Sequence, residues 1–114
     1  MQLARLFKVL SAPARVRIVR MLKGRALCVN ALAARLDVTQ GAVSQHLRVM
    51  RDAGLVIDER RGYYVHYRLN ARTLAAWAKA ADGLLVGLAG RDRERSGTQK
   101  CPRRKGKAAG SRKT

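Results

Sequence analysis

The sequence predicts a mainly α-helical domain with one small β-hairpin, and three observations carry that expectation. Apolar residues recur at helical spacing through most of positions 3 to 53. After Gly54 the repeat shortens to two, in stretches rich in β-branched and aromatic residues, and helical spacing returns at Ala71. After Gly90 the composition changes sharply: residues 91–114 hold ten basic and two acidic side chains, and almost nothing apolar. Such a segment buries too little to offset the entropy of ordering, so residues 1–90 are expected as one folded domain and 91–114 as a basic disordered tail.

The elements follow in order. Leu3, Leu6, Phe7 and Leu10 mark a first helix that stops near Leu10. Ser11-Ala12-Pro13 then reads as an N-cap followed by proline in the first turn of the next helix. In that second helix Val16, Val19, Met21 and Leu22 face inward and Arg15, Arg17, Arg20 and Lys23 outward, with Gly24 as the stop. A third helix runs from Val29 to Leu36 on the face Val29, Leu32, Ala33 and Leu36. Asp37-Val38-Thr39 breaks the pattern, and Thr39 caps a fourth helix from Gln40 to Ala53 that Gly54 ends. Leu55–Ile57 and Tyr63–Leu69 are strand-like and joined across Asp58 to Gly62, with Arg61-Gly62 at the tip. On the second strand Tyr63, Val65, Tyr67 and Leu69 share one face that should pack into the core, and Tyr64, His66 and Arg68 share the other. The last helix, from Ala71 to about Leu88, carries the stripe Leu74, Trp77, Ala81, Leu84, Leu85 and Leu88.

Helix, helix, helix, short turn, helix, hairpin, helix is the order of a winged helix-turn-helix. The fourth helix is the one whose outer face can read DNA. Val43, Leu47 and Met50 repeat at i, i+4 and i+7, whereas Gly41, Ser44, Gln45 and Arg48 project from the opposite side. Gln and Arg form bidentate contacts with adenine and guanine edges, Ser bonds a base or a phosphate, and glycine permits close backbone approach. Thr39, Gln40, Gly41, Ser44, Gln45 and Arg48 are therefore the candidate reading surface, joined by Arg60, Arg61 and Gly62 at the hairpin tip. His46, on the flank of the apolar face, reads as a structural histidine because no second ligand residue lies one turn away.

Charge agrees with duplex DNA as the partner. Lys and Arg number 25 against seven Asp and Glu, a formal net charge of +18, of which the folded part still carries about +10 without the tail. No apolar run approaches the roughly 20 residues that span a bilayer, so no membrane is expected. The first residues hold no stretch of signal-peptide type, which makes the cytoplasm the expected location. No glycine-rich phosphate loop, metal-ligand pair at helical spacing or nucleophile with an evident base is present, which argues against an enzyme. The alternative in another class is an architectural protein that coats DNA without reading it.

The strings Leu6-Phe7-Lys8-Val9-Leu10-Ser11-Ala12-Pro13-Ala14-Arg15, Thr39-Gln40-Gly41-Ala42-Val43-Ser44-Gln45-His46-Leu47-Arg48, Ala53-Gly54-Leu55-Val56 and Tyr67-Arg68-Leu69 resemble the ArsR/SmtB family of bacterial winged-helix repressors, over about residues 3 to 90. The resemblance implies a homodimer joined by the first and last helices, through Leu3, Leu6, Phe7, Trp77, Leu84, Leu85 and Leu88. It also implies a two-fold symmetric operator and repression relieved by an inducer. The apolar stripe of the last helix independently exceeds what one peripheral helix on a small domain readily buries.

That family commonly senses metals or metalloids, and the usual sites are incomplete here. Where its third-helix site has Cys-Val-Cys and a further Cys, this chain has Cys28-Val29-Asn30 and Ala33. The last-helix zinc site is represented only by Asp82, with no His between Ala71 and Gly90. No cofactor is therefore expected with a complete site, although a metal or metalloid inducer fits the family. The remaining candidates are Cys28 and Cys101 acting together as a thiol switch or soft-metalloid site, each beside basic residues (Arg25; Arg103-Arg104-Lys105). The alternative for the pair is a small buried hydrophobe and an idle tail thiol.

Overall fold

The computed structural model describes residues 3–94. The first helix, α1 (Leu3–Val9), buries Leu6 and Val9. Ser11 does not cap the next helix: its hydroxyl donates instead to the Lys8 carbonyl at 2.7 Å. The N-cap of α2 (Pro13–Met21) falls on Ala12, whose methyl offers no acceptor, and Pro13 supplies a preset φ in the first turn. The buried stripe of α2 is also rotated from the expected one. Ile18 and Leu22 are fully buried, while Val16, Val19 and Met21 are only half-buried. Arg15 lies one turn before Ile18 on that same face, and it is half-buried rather than outward.

A two-residue strand absent from the sequence reading, β1 (Leu27–Cys28), leads directly into α3 (Val29–Leu36). Leu32, Ala33 and Leu36 of α3 enter the core, and Asp37 closes the helix at φ 59°, a left-handed position that Asp tolerates better than most side chains. After the three-residue turn comes α4 (Gln40–Asp52). It ends in paired hydrogen bonds from Gly54 N–H to the Arg51 carbonyl and from Leu55 N–H to the Met50 carbonyl, both 2.9 Å. That pattern places Gly54 at φ 79°, where glycine alone carries no Cβ penalty, and swings Leu55 into the core.

The hairpin is longer and tighter than expected. Strand β2 (Val56–Arg61) and strand β3 (Tyr64–Leu69) pair antiparallel in register from Val56 opposite Leu69 to Arg61 opposite Tyr64. Only Gly62 and Tyr63 turn the chain, with Gly62 at φ 64° in the first central position that such two-residue turns reserve for glycine. Asp58 to Arg61 are therefore strand, not loop. Tyr63 is 92% exposed instead of inward, because it stands beyond the last ladder pair, where two-residue alternation no longer applies. On its other edge β3 pairs with β1, giving the antiparallel order β1-β3-β2.

The last helix, α5 (Ala71–Glu94), starts where the Asn70 side-chain oxygen accepts hydrogen bonds from Arg72 N–H and Thr73 N–H. It continues past Leu88 into the stretch assigned to the tail. Arg and Glu there are good helix formers, and no proline follows until Pro102. Residues 95–114, with Cys101, lie outside the described residues. Trp77 joins α5 to the single core, whose fully buried centre is Ile18, Leu22, Leu32, Val43, Leu47, Met50 and Leu55. Each such side chain contributes about 1.5–3 kcal/mol by leaving water. From Asp82 to Gly90 every residue of α5 is exposed. Among the described residues no helix is long and apolar enough to cross a membrane.

Candidate nucleic-acid interface

The face that can meet a duplex is built around the start of α4. Thr39 sits in extended backbone and its hydroxyl oxygen accepts from Ala42 N–H at 3.1 Å, which ties down one of the orphan donors of the first turn. Val43, Leu47 and Met50 are essentially inaccessible and fix the rotation of the helix. With those three inward, Gln40, Gly41, Ser44, Gln45 and Arg48 are all exposed, as is Thr39. All six expected reading residues of this segment thus share one accessible surface. The α3–α4 turn that precedes them is only Asp37, Val38 and Thr39, so α3 braces α4 closely.

Beside this face lies a shallow recess of about 160 Å³ lined by Ser44, Leu47, Arg48, Arg51 and Tyr67. Arg51 and Tyr67 were not among the expected site residues. Arg51 Nη1 stands 3.5 Å from Asp58 Oδ2, an exposed ion pair linking the end of α4 to β2. The pairing depends on where β2 returns against α4, which no local sequence signal sets.

The hairpin presents Arg60, Arg61 and Gly62 at its exposed end, as expected, although the two arginines belong to β2. They are not equivalent. Glu59 accepts from Arg68 Nε at 2.8 Å and from Arg61 Nη2 at 3.3 Å. The Arg68 hydrogen bond, then the one from Arg61, holds the Glu59 carboxyl below its ordinary value. Arg61 is thereby steered along the strand, while Arg60 has no ion pair among the described residues. Tyr63 at the tip is an additional exposed aromatic.

His46 is half-buried on the flank of α4. Burial, reinforced by the nearby Arg15 charge, lowers its pKa from the ordinary 6.5. Cys28 is a half-buried free thiol opposite His66 in the β1–β3 ladder. Asn30 beside it is exposed and Ala33 buried, and among the described residues no three His, Cys, Asp or Glu side chains cluster closely enough to hold a metal.

The residues expected at a dimer seam divide in two. Leu6 and Trp77 are buried within this chain, where α1 packs against α5, so they are not accessible to a second copy. Leu3 is half-buried. Phe7, Leu84, Leu85 and Leu88 are exposed at 42, 37, 55 and 62%, and Val86, not among the expected residues, at 61%.

Known proteins share this architecture. The family profile described as bacterial regulatory protein, arsR family, matches residues 12–58. The chain is similar to the arsenical resistance operon repressor of Escherichia coli (strain K12), 42% identical over 74 residues that span 64% of this chain and 62% of that one. It is also similar to the transcriptional repressor SdpR of Bacillus subtilis (strain 168), 31% identical over 68 residues, 60% of this chain and 76% of SdpR. A crystal structure of a possible transcriptional regulator for arsenical resistance superposes with a TM-score of 0.67 at 33% identity, covering 81% of this chain and 96% of the other. The matched stretch is thus less than two thirds of the Escherichia coli repressor's own length.

Proposed function

Given that the chain belongs to the arsR family of bacterial regulatory proteins, we propose that it is a homodimeric, sequence-specific repressor of transcription acting in the cytoplasm. The observation that carries this reading is the joint exposure of Gln40, Ser44, Gln45 and Arg48 on a helix whose rotation Val43, Leu47 and Met50 fix. In the proposed complex α4 lies in the major groove, about 12 Å wide, with Gln45 and Arg48 on base edges and Ser44 on a base or phosphate. Thr39, Gln40 and Gly41 bring the first helical turn against the backbone, where unsatisfied N–H groups favour phosphate. Arg60, Arg61 and Gly62 of the hairpin reach the neighbouring phosphates or minor groove.

Two copies joined through Phe7 and the Leu84, Leu85 and Leu88 face of α5, which Leu3, Leu6 and Trp77 support from within each protomer, set two α4 helices on half-sites about 34 Å apart on a two-fold symmetric operator. The basic residues from 91 onward add phosphate neutralisation that carries no sequence information. Release by an inducer completes the regulatory cycle. For a soft metal or metalloid inducer Cys28 is the one cysteine of the family's third-helix site that this chain retains, with Cys101 as the candidate second thiol.

The test is a fluorescence-anisotropy titration of a duplex footprinted upstream of the chain's own reading frame against a scrambled duplex, over a series of salt concentrations. Both affinities should fall with salt at about −0.9 per phosphate neutralised, while a gap of about 10³ or more persists between the two. Equal affinities throughout would replace the regulator with an architectural coat.

A further inference from the structure

Away from the reading face, α1, the start of α2 and the far side of α4 enclose a cleft of about 690 Å³, lined by Ala4, Arg5, Lys8, Val9, Ser11, Arg15, Val49 and Asp52. Its size lies within the range of sites that take small organic ligands. Its lining has two characters. Ala4, Val9 and Val49 are apolar, whereas Arg5, Lys8 and Arg15 bring three cations against the single Asp52 carboxylate. The cations are not all satisfied by the protein. Arg5 donates from Nη2 to the Asp52 backbone carbonyl at 3.2 Å, which holds its guanidinium over the cleft without neutralising it. Arg15 Nε is buried and has no hydrogen-bond partner among the described residues. Neither Arg15 nor Lys8 is ion-paired with a carboxylate among the described residues, so both keep their charge available to an anion in the cleft.

We propose that this cleft binds a small amphipathic carboxylate, its head group on Arg15 and Lys8 and its short apolar body on Val9 and Val49, and that the bound molecule acts as an effector. The site joins α1, which leads toward the proposed dimer seam, to α4, which carries the reading face. A ligand that wedges the two helices therefore changes how the reading helices of a dimer are set apart. This effector role rests on the DNA-binding reading; the binding site does not.

The experiment titrates the full 114-residue chain with hexanoate, with hexylamine and with inorganic phosphate, following the Val9 and Val49 methyl resonances, and repeats the operator anisotropy at each hexanoate concentration. Hexanoate should give a saturable shift at both valines, at least tenfold weaker at both in Arg15→Gln and at least tenfold weaker at Val9 in Val49→Trp, which fills the cleft from an exposed position. Hexylamine and phosphate should give none, and saturation with hexanoate should weaken operator binding at least threefold. A shift as strong in both variants, an equal response to phosphate or hexylamine, or a response at Leu84–Leu88 instead would overturn the site. Operator binding with no such shift overturns the site and leaves the regulator reading in place. A saturable, Arg15-dependent shift in a chain that binds no operator establishes the site and overturns the effector role.

Discussion

The start of α4 and the second half of α5 are both stretches of helix that the protomer leaves open to solvent, and they are built oppositely. On α4 the exposed residues are Gln40, Gly41, Ser44, Gln45 and Arg48, and three buried side chains directly behind them hold the helix in place. On α5, nothing from Asp82 to Gly90 is buried, and Leu84, Leu85, Val86 and Leu88 lie open. A polar face on a firmly held helix suits recognition, because groups that read base edges must already be oriented. An apolar face with no packing behind it suits association with a like surface, since exposing that much aliphatic area is unfavourable for a lone protomer. Exposure alone therefore does not distinguish the two regions. What lies behind each face does.

The comparison breaks most severely if α5 is not a seam. If the proposed dimer forms through α5, Leu85→Glu combined with Leu88→Glu should convert it to a monomer in sedimentation velocity and weaken operator binding by about tenfold or more, because each half-site is then bound alone. The same substitutions should barely change the fold of the protomer, because neither side chain enters its core. A variant that stays dimeric would move the seam elsewhere. A smaller effect tests the other region. Arg48→Ala or Gln45→Ala should cost about 1–3 kcal/mol on operator, with discrimination relaxed at particular base pairs and random duplex bound almost as before. Equal losses on both duplexes would make these residues phosphate contacts, and α4 a positioning helix rather than a reading one.

Much of this contrast was legible in the sequence, and the reasons are local. Thr39 as a cap, the i, i+4, i+7 stripe of Val43, Leu47 and Met50, and the polar face opposite it all follow from contacts within one or two helical turns. The limits of α3 at Val29 and Leu36 were readable for the same reason. What escaped depends on partners distant in the chain. Strand β1 is two residues long, too short for any period, and exists because β3 offers it an edge. The Glu59–Arg68 contact spans nine residues and follows from a turn confined to Gly62 and Tyr63, which the spacing of hydrophobic residues left open by several positions. The expected inward face of α2 omits Ile18 and places Arg15 outward, because α2 contacts several elements and its most buried line is selected by α3 and α4 rather than by its own pattern. Cys28 shows the boundary well: its identity was visible, but its place opposite His66 was not.

The smallest expected effect concerns the margin between the two sides of α4, where His46 lies in neither the core nor the proposed reading surface. Its folded pKa lies below the ordinary 6.5, first because burial disfavours the imidazolium and then because Arg15 repels it. The unfolded chain therefore takes up this proton first as acid is added. The corresponding stability is fully present above pH 6.5 and is lost as pH falls through 6.5 toward the lower folded value. Glu59, also lowered but from 4.5, stays ionised in both states above about pH 5.5 and does not obscure this window. Urea midpoints measured from pH 8 down to 5.5 should show a shallow decline in the native chain that His46→Gln flattens. The decline should be shallower in Arg15→Gln as well, since one of its two causes is gone. If His46→Gln leaves the slope unchanged, His46 belongs electrostatically to the solvated side of α4, and the sharp division between its buried and reading faces extends one residue further inward than the packing indicates.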